Sequence, residues 1–235
     1  MLAALQFYQT AISPFVRNGV PILVILGLWY GLSRAGLTPK AWAIGVVTTA
    51  LLLAWWATID QLAQSGFYAA HWSVMRPLCW AIAIAWLVPL MRSASIGAAL
   101  DAIPPWWLIG LQCYRAGGGL VWLAGWGSGR LPAAFALPAG IGDCLVGLFA
   151  VTVATWIYLG ARGWRIAGIA WNVFGLLDFL NGFVLASFVP YNFAYPGVMI
   201  PAFLAPLSVD LHGLSIRQLR RVMGRESRPV AALAI

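Results

Sequence analysis

The sequence predicts an all-α membrane protein: a bundle of about seven transmembrane helices, N-terminus outside and C-terminus cytoplasmic. Three observations carry this expectation. The 235 residues are 62% hydrophobic and only 9% charged, against about 25% charged in soluble domains, so there are too few charges to cover a water-facing surface. Seven apolar segments follow one another with short connections, each near the roughly 20 residues that a membrane helix takes. Lys and Arg fall unevenly on alternate connections, as cytoplasmic loops require.

The segments run at about 19–36, 41–60, 74–91, 105–125, 137–159, 166–187 and 197–215. Residues 2–16 precede them, interrupted by Gln6, Gln9 and Pro14. They read as a helix lying in the interface, and without a basic stretch ahead of the apolar run they do not read as a signal peptide. The chain therefore divides into an interfacial segment (1–18), a membrane domain (19–216) and a basic cytoplasmic tail (217–235). With the tail inside, ten of the fourteen Lys and Arg lie on the cytoplasmic side: Arg34, Lys40, Arg92, Arg162, Arg165, Arg217, Arg220, Arg221, Arg225 and Arg228. Arg17, Arg76 and Arg130 lie outside, and Arg115 lies within the membrane. This division accounts for the net charge of +8 without invoking nucleic acid. The expected location is a bacterial cytoplasmic (inner) membrane, crossed several times, with the bilayer as first partner.

Aromatic residues fit the same frame. Trp42, Trp106, Trp107 and Trp164 fall near the inner boundary and Trp72 and Trp126 near the outer one, as in an aromatic belt. Trp55, Trp56, Trp80, Trp86 and Trp122 fall deeper, where indoles pack or line a cavity. The uncharged loop VPYNFAYPG, 189–197, reads as a lid in the interface. Cys79, Cys113 and Cys144 have no paired spacing and read as free, buried thiols.

Arg115 is the residue that asks for an explanation. It stands in LIGLQCYRAGGGLVWL, far from any other charge in sequence. At about 1.5 Å per residue it lies near mid-depth, level with Asp178, with Asp143 in the outer half. A lone charge there costs at least about 2.5–3.5 kcal/mol, so Arg115 is expected to face Asp178 or Asp143. If it pairs with one, the other is left to water or to a proton. Gly117, Gly118 and Gly119 allow a neighbouring backbone to approach and weaken the local helix. In the sixth segment, which includes WNVFGLLDFLNG, Gly168, Gly175 and Gly182 share a helix face, with Asn172 and Asp178 close to it and Asn181 adding a further amide. Pro196, Pro201 and Pro206 break the last segment, as prolines inside helices do. Asp210 and His212 follow in its inner third. Two residues apart on a helix, they face different ways, and His212 reads as a single exposed histidine at the cytoplasmic edge. The candidate substrate or proton pathway is therefore Arg115, Asp143, Asp178, Asn172, Asn181, Asp210 and His212.

Other chemistries fit less well. His71 and His212 lie on opposite sides and no His–Cys–carboxylate spacing suits a metal, so no cofactor and no metal is expected. The single lysine, Lys40, lies in a loop, which excludes a mid-membrane Schiff base. GIGD, 140–143, matches the GxGD string of intramembrane aspartyl proteases, whose chemistry needs two carboxylates sharing a proton. Asp60 is the candidate partner of Asp143, but its context is TID and no PAL motif follows.

Taken together, CYRAGGG, LPAAFALPAGIGD, WNVFGLLDFLNG and IPAFLAPLSVDLHGLSIRQLRR resemble a group of uncharacterised bacterial multi-pass inner-membrane proteins, over roughly 104–222. The resemblance implies a helical membrane protein and assigns no activity. Two function classes stand level: a small proton-coupled carrier for a polar or anionic solute, and a non-catalytic accessory or assembly subunit with a membrane-protein partner or a second copy. A GxGD-type protease is a remote third, and the balance leans away from an enzyme.

Overall fold

A computed structural model describes residues 14–34, 36, 38–92, 100–188, 195 and 197–226. The interfacial helix expected at 2–16, most of the 189–197 loop and Arg228 lie outside the described residues. Among those described the protein is all-helical, with no strand. A π-helical turn, Phe15–Gly19, leads into α1, Val20–Arg34; α2 is Pro39–Gln64, α3 the short Phe67–Ala70 and α4 Trp72–Arg92. Helix α5, Pro105–Leu111, passes through a 3₁₀ turn, Gln112–Tyr114, into α6, Arg115–Gly127. Then come α7, Ala133–Tyr158, α8, Trp164–Phe188, and, after a second π-helical turn at Ile200–Leu204, α9, Ala205–Glu226. Each apolar segment read from the sequence lies on one of these helices or, for the fourth and seventh, on two joined pieces.

Helix ends follow local chemistry. Thr38 caps α2, its hydroxyl accepting from Ala41 N at 3.2 Å, with Pro39 next, where a missing N–H costs nothing. Pro104 and Pro132 stand in extended conformation before α5 and α7. Helices α6 and α7 end in glycines of positive φ, Gly129 at 71° and Gly160 at 62°. At the second, Ala161 N reaches Trp156 O and Gly160 N reaches Ile157 O, the Schellman pairing that only a left-handed residue permits. The wide turn Ile200–Leu204 falls where Pro201 and Pro206 withhold ladder donors, so the expected break in the last segment takes the form of i→i+5 winding.

Helix α7 is the hub and packs along α5, α6 and α8; α9 packs on α4, α5 and α8; α1 pairs with α2 and touches α5. The main core joins Leu52, Tyr68, Cys79, Leu108, Trp122, Phe135, Phe203 and Leu211. A second one, with Ile109, Val146, Ala150, Trp171 and Leu219, seals α5, α7, α8 and α9. Helices α2, α7 and α8 are long and apolar enough to cross a membrane by length and composition. Their outward faces carry Val47, Leu51, Leu148, Phe149, Leu177 and Leu180.

The structure departs from expectation at three places. Gly117–Gly119 stay within the regular helix α6; the tightening comes one turn earlier, at Gln112–Tyr114. Of the thiols, Cys79 is buried but Cys113 is exposed. The last helix continues to Glu226, past the expected boundary at 216. Gln218 donates to Leu100 O at 2.5 Å and Ile103 O at 2.6 Å, and Asp101 pairs with Arg217 at 3.7 Å and with Arg221. The first part of the basic tail is thus docked against the turn before α5, because its arginines find an acid there.

Helices α6 and α7 meet through backbone. A Cβ on Gly119 would lie 2.5 Å from Gly140 O and 2.6 Å from Cys144 Sγ, and one on Gly147 would overlap the Ala116 nitrogen. Gly119→Val is therefore expected to lower stability by about 1–3 kcal/mol, read as a fall in the thermal midpoint of the detergent-solubilised protein. Gly127→Ala, with no atom within 4 Å of the new methyl, leaves that midpoint unchanged or raised.

Candidate functional site

Arg115 opens α6 and points into the bundle, 2% exposed. Its Nε donates to Asp143 Oδ1 on α7 at 2.8 Å, and its Nη2 to Asp178 Oδ2 on α8 at 2.5 Å. Its Nη1 reaches Gly175 O at 3.3 Å and His212 Nε2 on α9 at 3.1 Å. The guanidinium also lies 3.7 Å from the centroid of the Phe179 ring, a cation–π contact. One side chain thus ties four helices together.

The partners are themselves held. Trp122 Nε1 donates to the second oxygen of Asp143 at 3.1 Å. Because a guanidinium only donates, His212 Nε2 must accept. Its Nδ1 then carries the proton and donates to Asn172 Oδ1 at 2.9 Å, making the imidazole neutral. The Asn172 amide donates to Gly168 O at 2.7 Å and Ser215 Oγ at 3.0 Å. Beside this chain, Tyr114 bonds Ser208, and Gln112 donates to Ser208 O at 3.2 Å.

Glycines make the cluster fit. A Cβ on Gly142 would collide with the Asp178 carboxylate, and one on Gly175 with the His212 ring. Gly140 lies against Leu123 and Gly119 O. The GIGD string therefore does packing work: one glycine admits α6, the other admits the acid of α8, and the aspartate meets the arginine. Asp60 is elsewhere, bonded by Gln64 at 2.6 Å and Tyr195 at 3.2 Å, with Arg17 at 3.9 Å. No hydrogen bond joins Asp60 to Asp143 among the described residues, and the acid nearest Asp143 through a shared partner is Asp178.

A family model matches residues 67–220. The chain belongs to that family. It is described as Domain of unknown function (DUF8737). No curated protein and no solved structure matches the chain. The DUF8737 match contains every member of the Arg115 cluster and begins after α2.

Within this DUF8737 region the structure sorts the seven candidate residues. Arg115, Asp143, Asp178, Asn172 and His212 come together. Asn181 is exposed on α8 and takes no part. Asp210 faces away, into a separate cavity. His212 corrects the expectation of an exposed edge histidine: it is 0% exposed, because α9 runs on to Glu226 and leaves residue 212 mid-helix. Arg115 also pairs with both aspartates rather than leaving one to water. Phe179 and Ser215 are members that the sequence did not point to, and Trp122, expected to pack or line a cavity, also donates to Asp143. Ser215 was legible as the i+3 neighbour of His212, whereas the Trp122–Asp143 bond required the α6–α7 register.

The carboxylates also face outward from the cluster. Asp143, Asp178 and Phe179 line a cavity of about 60 Å³ together with Trp80, Trp122 and Arg76, room for more than one water. Arg76 lies 4.6 Å from the Phe183 ring centroid and donates to Ser187 at 2.9 Å, and its buried Nε–H has no partner among the described residues.

Removing Arg115 alone would strand two acids. Arg115→Met is expected to cost about 3–5 kcal/mol, and the triple change Arg115→Met, Asp143→Asn, Asp178→Asn to recover most of it, read by denaturant unfolding in one detergent. Equal losses in the single and triple variants would mean that charge balance is not what holds the four helices.

Proposed function

We propose that the chain is a polytopic protein of a bacterial cytoplasmic membrane, with about seven spans, its N-terminus outside and C-terminus inside, and that the Arg115 centre is the proton and solute site of a small carrier. The exposed apolar faces of α2, α7 and α8 support the membrane setting, since apolar surface so extensive is at home in lipid and a liability in water.

The carrier reading rests on one observation, the charge balance at the centre. One guanidinium holds two carboxylates beside a neutral imidazole. With both carboxylates ionised the centre has one negative charge in excess. An uncompensated charge in a membrane interior costs at least about 2.5–3.5 kcal/mol, and either a bound proton or a bound cationic group cancels it. Exchange between those two occupants is the elementary step of proton-coupled transport.

The same balance narrows the solute. An anion would have to draw Arg115 from two carboxylates, a carbonyl and an imidazole. The adjoining cavity is lined by both acids and by Arg76. Of the polar or anionic solutes the sequence allowed, that arrangement suits a small zwitterion, ammonium end toward Asp143 and Asp178, more than an anion.

Two measurements test the reading. A fluorescent protein fused after Ile235 is expected to mature, and a periplasmic phosphatase at the same point to stay inactive; the reverse pattern would invert the topology. In proteoliposomes with a trapped pH dye, adding glycine, L-alanine or β-alanine outside is expected to make the lumen more alkaline in the wild type, as solute enters in exchange for protons, and not in Asp178→Asn. A pH rise of equal size in Asp178→Asn, or none with any of the three, would remove the carrier assignment.

A further inference from the structure

A second cavity lies on the other side of α9, between α1, α2, α4, α5 and α9, and shares no lining residue with the one at the Arg115 centre. It has a volume of about 100 Å³, about two-thirds that of an engineered apolar cavity of about 150 Å³ that accepts benzene. Its wall is aliphatic apart from Thr48, three indoles (Trp55, Trp86 and Trp107) and one carboxylate, Asp210. Asp210 is 6% exposed, and its Oδ1 is buried with no hydrogen-bond partner among the described residues. Among the described residues no Lys, Arg or His lines the cavity, and the buried indole N–H groups of Trp55 and Trp107 have no partner.

A buried carboxylate with no donor is costly unless a proton or a cation neutralises it. Among the described residues the other buried or half-buried aspartates each have a nearby cation: Asp143 and Asp178 have Arg115, Asp60 has Arg17, and Asp101 has Arg217 and Arg221. Asp210 instead lines a cavity of about 100 Å³ whose mainly aliphatic wall carries three tryptophans. Indole faces attract organic cations, most strongly when water is excluded. We infer that the Asp210 cavity is a binding site for a small organic ammonium, tertiary or quaternary, whose charge sits at the Asp210 carboxylate and whose alkyl groups sit among Trp55, Trp86 and Trp107.

This site is independent of the carrier reading, and its test uses binding alone. Choline is titrated calorimetrically into the full-length protein in a nonionic detergent, alongside 3,3-dimethyl-1-butanol, the uncharged isostere of the same shape. Saturable choline binding is expected, with the alcohol about tenfold weaker or more. Asp210→Asn is expected to bring choline down to the level of the alcohol while leaving binding of the alcohol in place, which also reports an intact cavity. Equal affinity for choline and the alcohol in the wild type would overturn the inference and leave a plain apolar pocket, a comparison that needs no variant to fold. Absence of saturable choline binding, or undiminished choline binding in Asp210→Asn, would overturn it as well.

Discussion

The whole bundle is organised around the neutralisation of one guanidinium. Arg115 cannot lose its charge, and its surroundings are helices whose other faces are apolar. The three helices packed against it must therefore bring four acceptors to one point: a carboxylate from α7, a carboxylate and a carbonyl from α8, an imidazole from α9. Those directional contacts fix the rotation and the height of each helix relative to the others. Aliphatic packing alone tolerates sliding; a donor fork aimed at four acceptors does not.

The glycines follow from the same constraint. For an arginine on α6 to bond acids on both α7 and α8, the three helices must approach closely near the charges. Gly119 and Gly147 let α6 and α7 touch through backbone, Gly142 makes room for the Asp178 carboxylate, and Gly175 for the imidazole. Gly182, on the same face of α8, has no atom of a neighbouring element within 4 Å of where a Cβ would be among the described residues, so the seven-residue spacing alone does not assign a packing role to each glycine. Position relative to the charged centre does.

Helix α9 divides the polar groups between two places. Its start is wound wide between two prolines, and from there it presents His212 and Ser215 to the centre and Asp210 to the opposite cavity. The far end is pinned by Gln218 on the carbonyls of Leu100 and Ile103 and by two arginines on Asp101. The polar contacts of one helix thus connect the centre, the second cavity and the turn before α5.

The sequence by itself determined the helical class and the approximate extent of the long apolar helices, though not the short α3 or the far end of α9, because apolar run length, prolines and terminal glycines act within a few residues of where they stand. It also determined that Arg115 needs acidic company, since the cost of a lone charge in an apolar setting does not depend on which fold supplies the partner. Only the tertiary structure decided that both aspartates serve at once, that His212 is a buried acceptor, that Trp122 and Phe179 belong to the centre, and that Asn181 and Asp210 do not. Those outcomes depend on the rotation and axial offset of one helix against another. They are set by contacts between residues far apart in sequence, and no local pattern encodes them.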